Sequence, residues 1–317
     1  MDWRPSASLQ VLRARAALLA SVRDFFRQRN VLEVETPLLC SSGVTDPSLR
    51  PLTVQRGDSL SRPRYLQTSP EYAMKRLLAA GSGPIFQVAR AFRDGETGER
   101  HNPEFSLLEW YRPDFDMHQL ISEVEDLLVH CLGSFPCERR SYRQWFIDLL
   151  GLDPMTAPVA ELEAFARQHL DPGAMAGDRD LWLDLLTSHL LEPRLADLGI
   201  CCVYDYPETQ AALARVEPEG DVQVARRFEI YVNGLEVANG YHELSDGSEQ
   251  RRRFEIDNAR RREYGLPEQP VDELLLAALD EGLPDCSGVA LGLDRLLMLL
   301  TGTADIRRVL AFDWSRS

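Results

Sequence analysis

Apolar residues recur at Leu9, Leu12, Ala16, Leu19, Val22 and Phe26, the three-and-four spacing that turns one side of an α-helix toward a core. The spacing predicts a long opening helix over 8–28. It runs into Val31-Leu32-Glu33-Val34, a short strand stopped at Thr36-Pro37, because proline removes a ladder donor. Tyr65 to Thr68 predicts another strand, and Ser69-Pro70-Glu71 a helix start: a hydroxyl to cap, a proline in the first turn and an acid near the positive end. That helix should stop at Gly81.

Ile85 to Arg93 and Glu104 to Tyr111 read as the two arms of a hairpin whose polar tip runs from Asp94 to Pro103. In the second arm the period of two puts Phe105, Leu107, Glu109 and Tyr111 on one face. A purely structural sheet face seldom mixes aromatics with a carboxylate in this way. Helical patterns follow from Met117 to Cys131 and through the 160s and 180s, separated by Pro154, Pro158 and Pro172, and none of this stretch carries a motif to which chemistry can be assigned. Arg227 to Val232 and Leu235 to Gly240 then flank Asn233-Gly234, a strong two-residue hairpin signal. With that turn, Tyr231 faces Glu236, and Glu229 and Glu236 become diagonal neighbours. The chain closes with a strand over Gly288 to Gly292 that turns at Asp294-Arg295 into an apolar helix. No repeat, low-complexity tract or long linker interrupts the pattern. The expectation is one α+β domain over 1–317, with a helical insertion at about 117–200.

Composition narrows the class. With 317 residues, 44% hydrophobic and 27% charged, the chain can bury a sizeable core and lies far from disordered sequences. No run reaches the roughly 18 apolar residues of a membrane helix, and the opening MDWRPSASLQ lacks a leader's charged-then-apolar order, so a cytoplasmic location is expected. Six cysteines at 40, 131, 137, 201, 202 and 286 have no zinc spacing and read as reduced thiols. The net charge of −15 disfavours nucleic acid as a partner and favours something basic. The one dense basic cluster, Arg251 to Arg253 with Arg260 to Arg262, is interleaved with acids and reads as a salt-bridged helix face.

Two carboxylates converging on a hairpin suit a divalent cation that carries a polyphosphate, or else they point to solvent or pair with Arg227. Arg93, His101 and Phe105 offer a cation, a second donor and an aromatic plate within one hairpin, which is what a nucleotide needs for its phosphates and base.

These residues also carry a resemblance. FQVARAFRDGETGERHNPEFSLLEWYR, residues 86–112, resembles motif 2 of the class II aminoacyl-tRNA synthetases in its lysyl form. The opening helix and strand resemble motif 1, RFEIYVNGLEVANGYHEL at 227–244 resembles the lysyl-specific segment, and GVALGLDRLLML at 288–299 resembles motif 3. The resemblance implies an antiparallel sheet of six or seven strands flanked by helices, a homodimer formed through motif 1, and an aminoacyl-adenylate made from ATP and an amino acid. Lysyl-tRNA synthetases carry an anticodon-binding barrel ahead of motif 1, whereas this sequence opens almost at that motif. Together with the acidic balance and Ala290, this resembles a family of freestanding paralogues that join lysine or (R)-β-lysine to a lysine side chain of elongation factor P, with tRNA not expected as a partner.

By that resemblance Arg93 clamps the α-phosphate, His101 meets the outer phosphates, Phe105 stacks on adenine and Arg295 takes the γ-phosphate. Asn102, Val237 and Gly292 line the nucleotide site, and Glu229 with Glu236 holds Mg²⁺. Ser69 and Glu71 meet the substrate's backbone amine, Asn239 its carboxylate, and Glu109, Tyr111 and Glu243 its ε-ammonium. Ala290 stands where the lysyl enzymes have glycine, and is expected to favour the β-isomer. One departure is Gly95, which fills the slot of a glutamate in the family pattern, with Glu96 beside it. Two other readings stay open: a shortened lysyl-tRNA synthetase that charges tRNA, and an inactive paralogue acting as a binding module.

Overall fold

A computed structural model describes residues 3–55 and 62–317. In chain order the principal elements are α1 (Leu9–Gln28), β1 (Leu32–Glu33), β2 (Leu39–Cys40), β3 (Thr53–Val54), β4 (Arg64–Leu66), α2 (Glu71–Ala79), β5 (Ile85–Phe92), β6 (Glu104–Pro113) and α3 (Met117–Leu132). Then come β7 (Cys137–Ser141), α4 (Tyr142–Leu150), α5 (Val159–His169), α6 (Arg179–Leu186), β8 (Ile200–Pro207), β9 (Val216–Glu219), β10 (Val222–Val232) and β11 (Leu235–His242). The last are α7 (Gly247–Glu263), α8 (Glu273–Gly282), β12 (Cys286–Gly292) and α9 (Leu293–Thr301). The chain divides into two compact units, the first formed by Met1–Asp116, Asp126–Gly133 and Ser245–Ser317, the second by Met117–Glu125 and Ser134–Leu244.

In the first unit β5, β6 and β12 form an antiparallel ladder, with β1 added in parallel to β5. A separate small sheet has β4 between β2 and β3. Helix α1 starts where predicted, with Ser8 Oγ accepting from the Val11 N–H at 3.3 Å. Its buried stripe is Leu18, Val22, Phe25 and Phe26, with Phe26 stacked on Phe86 at 4.5 Å, whereas Leu9 is 68% exposed and Ala16 is also exposed. The inward position in the first half is taken by Arg15. Its guanidinium pairs with the buried Asp294 and donates to Val309 O at 3.2 Å, a polar anchor that apolar spacing does not reveal. Asp294 also accepts from the Ser106 N–H at 2.7 Å, pinning the start of α9 to β6.

The basic cluster on α7 is spent locally: Arg251 pairs with Glu273, Arg252 and Arg253 with Glu249, and Arg262 with Glu268. Arg261 is buried and donates to the carbonyls of Pro267, Asp46 and Leu49, a structural role the sequence reading did not separate from its neighbours.

In the second unit β10 is paired antiparallel with β8, β9 and β11, and β7 runs parallel to β8. The parallel placement of β1 and β7 is a departure from a purely antiparallel sheet. Two-residue pairing at β1 leaves too short a pattern to reveal strand direction. Tyr142, Trp145, Trp182, Leu183, Tyr206 and Tyr231 are among the buried residues that form this unit's core. The predicted turn is present: Val232 pairs with Leu235, and Asn233 and Gly234 have φ of 49° and 75°, the left-handed pair a tight hairpin requires. None of the six cysteines, all of which lie among the described residues, is in a disulfide, and burial pushes the Cys202 thiol well above its ordinary range. Among the described residues no helix is long and apolar enough to cross a membrane.

Candidate active site

The first unit gathers two groups of the predicted residues. One lies at the tip of the β5–β6 hairpin. The register sets Ala91 opposite Phe105 and Gln87 opposite Glu109, so Phe105, Leu107, Glu109 and Tyr111 alternate onto one face as predicted. The Arg93 N–H bonds Pro103 O at 2.9 Å and closes the strand pair, which brings the Arg93 guanidinium over the Phe105 ring, 5.0 Å from its centre. Arg93 Nε is buried without a hydrogen-bond partner, an orphan donor suited to an anion.

Arg295, in the first turn of α9, donates to His101 Nε2 at 2.9 Å. Partial burial and then the Arg295 charge hold His101 below the usual imidazole range, so the ring is a neutral acceptor here. Asn102 donates to Glu104 O at 2.6 Å and accepts from the Trp314 N–H at 3.0 Å, so both ends of its amide hold backbone and fix the loop that carries His101. Gly95 has φ of 81°, a conformation a glutamate there would strain to adopt, and Glu96 is turned to within 3.7 Å of Arg93. A Cβ added at Gly292 would meet the Arg295 side chain at 3.6 Å, an ordinary contact.

The other group lies at the opposite end of the same sheet face. Ser69 Oγ accepts from the Glu71 N–H at 3.0 Å and donates to Glu109 Oε2 at 2.7 Å, while Tyr111 Oη donates to Glu109 Oε1 at 2.7 Å. Glu109 is buried. Desolvation, then the charge of Glu71, push its carboxyl up to about 7 despite those hydrogen bonds. Sequence reasoning missed the cation of this cluster. Lys75, 1% exposed, places Nζ 2.7 Å from Glu71 Oε1, one helical turn along α2. Its signal was the Glu-x-x-x-Lys spacing in a helix already predicted. Ala290 pairs with Glu109 across β12 and β6, so its methyl lies on the face that carries the carboxylate.

The second unit holds Glu229, Glu236, Val237, Asn239 and Glu243. Strict alternation would put Glu236 and Asn239 on opposite faces. A bulge restores them to one: Tyr231 pairs with Glu236 but Glu229 with Asn239, so β11 gains a residue around Val237. Val237 and Glu243 are buried. Arg227 donates to Glu229 Oε1 at 2.5 Å, and Tyr231 Oη to Glu229 Oε2 at 2.6 Å. Of the readings open for Glu229, pairing with Arg227 is thus realised in this structure. Arg227 Nε also donates to Asn239 Oδ1, at 3.3 Å.

A cleft of about 410 Å³ opens beside this hairpin, lined among others by Asp184, Glu192, Tyr206, Arg227, Glu229 and Glu236. Burial pushes the Asp184 carboxyl up to about 6. Asp184 and Glu192 come from the middle stretch in which the sequence showed no chemistry, because helical spacing alone does not say which polar positions face a cleft. Mg²⁺ bound with a polyphosphate needs only one or two protein carboxylates, and Glu236 lies on the cleft wall for such a role, beside Glu229 whose two oxygens already accept from Arg227 and Tyr231. Among the described residues no cluster of three or more His, Cys, Asp or Glu forms a complete protein-only metal cage.

A model of the tRNA synthetases class II (D, K and N) matches residues 1–316. The chain is 51% identical over 314 residues to an elongation factor P--(R)-beta-lysine ligase of Pasteurella multocida, covering 98% of this chain and 97% of that protein. It is 51% identical over 321 residues to the protein of that name in Klebsiella pneumoniae, with 99% and 98% covered, and 50% identical over 314 residues to one in Haemophilus influenzae, with 98% and 97% covered. The chain therefore belongs to the class II tRNA synthetase family of the D, K and N type.

Proposed function

We propose that this chain activates (R)-β-lysine, or lysine, with ATP as an aminoacyl-adenylate and passes the acyl group to a lysine side chain of elongation factor P. The observation that carries the reading is the buried cluster in which Glu109, on β6, accepts from Ser69 and Tyr111 close to Glu71 at the start of α2. Such a pair suits the ammonium groups of a lysine, because an unpaired buried cation is heavily penalised. The names of relatives half identical over nearly the whole chain point the same way.

In this reading the substrate's carboxylate attacks the α-phosphate in line, and no protein nucleophile is needed. Arg93 and Arg295 stabilise the charge that develops on the phosphoryl oxygens, with His101 beside them and Phe105 beneath the base. By the family resemblance Asn102, Val237 and Gly292 are assigned to the nucleotide, Asn239 to the substrate carboxylate, and Glu109 and Glu243 to the ε-ammonium. Glu229 and Glu236 would hold Mg²⁺, which when bound would supply positive charge to the polyphosphate. A single catalytic domain, a homodimer and a cytoplasmic location complete the reading. The test is lysine-dependent pyrophosphate exchange across α-lysine, β-lysine and ornithine, followed by a mass shift on elongation factor P. Exchange with a lysine isomer and a base-stable adduct on that protein are expected. Label that appears on tRNA and leaves in mild alkali would overturn the acceptor.

A further inference from the structure

Thirty-four arginines and a single lysine make up the basic side chains of this protein. Arginine serves at every surface ion pair described above, at the phosphate end of the candidate site and at the anchor of α1. The lysine stands at position 75, on α2, where it is 1% exposed and pairs with Glu71 at 2.7 Å. Glutamate four residues ahead of lysine is the favourable order on a helix, but exposed pairs of that kind contribute only tenths of a kcal/mol and need no burial. Burying an ion pair is an inefficient way to stabilise a fold, since apolar side chains of equal volume do as well.

The chemistry of the two cations separates the alternatives. A guanidinium is a wide planar fork, whereas an ammonium is a compact point charge on a flexible stem. At the bottom of a helical turn whose carboxylate must also serve a ligand, the fork would occupy both oxygens; the ammonium needs one.

We propose that Lys75 is a positioning residue for the amino-acid site: it ties Glu71 Oε1, leaves the other carboxylate oxygen to the substrate's amine, and offsets part of the charge of Glu71. Glu109, linked through Ser69 Oγ to the backbone N–H of Glu71, is then the carboxylate whose charge an incoming ammonium must balance. The cluster is set to accept a cation in addition to the one it already contains. Lys75 itself does not touch the substrate.

The inference rests on the assignment of Glu71 to the substrate amine. Pyrophosphate exchange by the full-length protein, followed as a function of lysine isomer and of ATP, tests both. If the wild-type protein shows no lysine-dependent exchange, the functional reading fails and this inference with it. Given wild-type exchange, Lys75→Met raises the KM for the preferred lysine by about tenfold or more, with kcat and the KM for ATP changed by less than about threefold. Lys75→Gln, which keeps a donor without the charge, follows the same pattern, and Lys75→Arg does not restore the lysine KM. An unchanged lysine KM, a parallel rise in both KM values, rescue by arginine, or failure of both neutral variants to fold would each overturn the positioning role while leaving the functional reading intact.

Discussion

Glu109 should give up a proton when lysine binds. In the free protein, burial and then Glu71 hold its carboxyl near 7, well above the ordinary 4.5. An ammonium placed against it supplies the missing countercharge and returns it to the ionised form. If the bound carboxyl falls back below about 5, uptake of one lysine releases about 0.9 proton at pH 6, about 0.5 at pH 7 and about 0.1 at pH 8. Titration calorimetry with lysine in pairs of buffers of different ionisation enthalpy reads this number directly. Glu109→Gln keeps the shape and the hydrogen bonds to Ser69 and Tyr111 within reach but removes the titrating group, so release should vanish.

The same group has a signature in stability. Its raised value means that the folded state holds the extra proton between the ordinary carboxyl value and about 7, so its contribution is fully present at low pH and is lost as pH rises through that window. The loss amounts to about 3 kcal/mol at most and should disappear when lysine is present. Release that does not change between pH 6 and pH 8, or that persists in Glu109→Gln, would refute the reasoning.

Arg93→Ala and Arg295→Ala should each lower exchange by about a hundredfold or more with the fold intact, because each removes a cation at developing phosphate charge; near-normal exchange with unchanged circular dichroism would remove the phosphate assignment. Glu236→Gln should raise the Mg²⁺ concentration needed for half-maximal exchange, since a neutral amide is a poorer ligand for a hard cation. A superimposable Mg²⁺ titration would return Glu236 to a purely structural role. Ala290→Gly, which removes a methyl across from Glu109, should raise kcat/KM for α-lysine relative to (R)-β-lysine by about tenfold. A preserved ratio between the two isomers, at whatever absolute rate, would exclude Ala290 as the discriminator.

Much of this geometry was legible in the sequence because it rests on short-range rules. The face shared by Phe105, Glu109 and Tyr111 follows from a period of two, and the Asn233-Gly234 turn from two residues that tolerate positive φ. What escaped is of longer range or breaks the period. The bulge at Val237 puts Glu236 and Asn239 on one face in spite of their odd spacing, and no residue type there announces it. Arg15 turns the first half of α1 toward Asp294, nearly the whole chain away. Asp184 and Glu192 reach the cleft through the packing of α6 and the turn after it, which helical periodicity leaves undetermined. The tie of Glu229 to Arg227, rather than to solvent or a cation, is a choice only side-chain geometry can make.

The solitary lysine has a consequence for chemistry directed at amines. Apart from the chain's own amino terminus, an acylating reagent finds a single primary amine in this protein, and that amine lies in an ion pair beneath the surface. A lysyl-adenylate that escapes from such an enzyme therefore meets no exposed ε-amine on its maker, and the catalyst is a poor acceptor for its own intermediate. The same blank surface is an experimental asset. A lysine introduced at any exposed arginine becomes a unique attachment point, and intact-mass analysis of the unaltered chain after turnover without acceptor provides a background close to zero against which such a sentinel can be read.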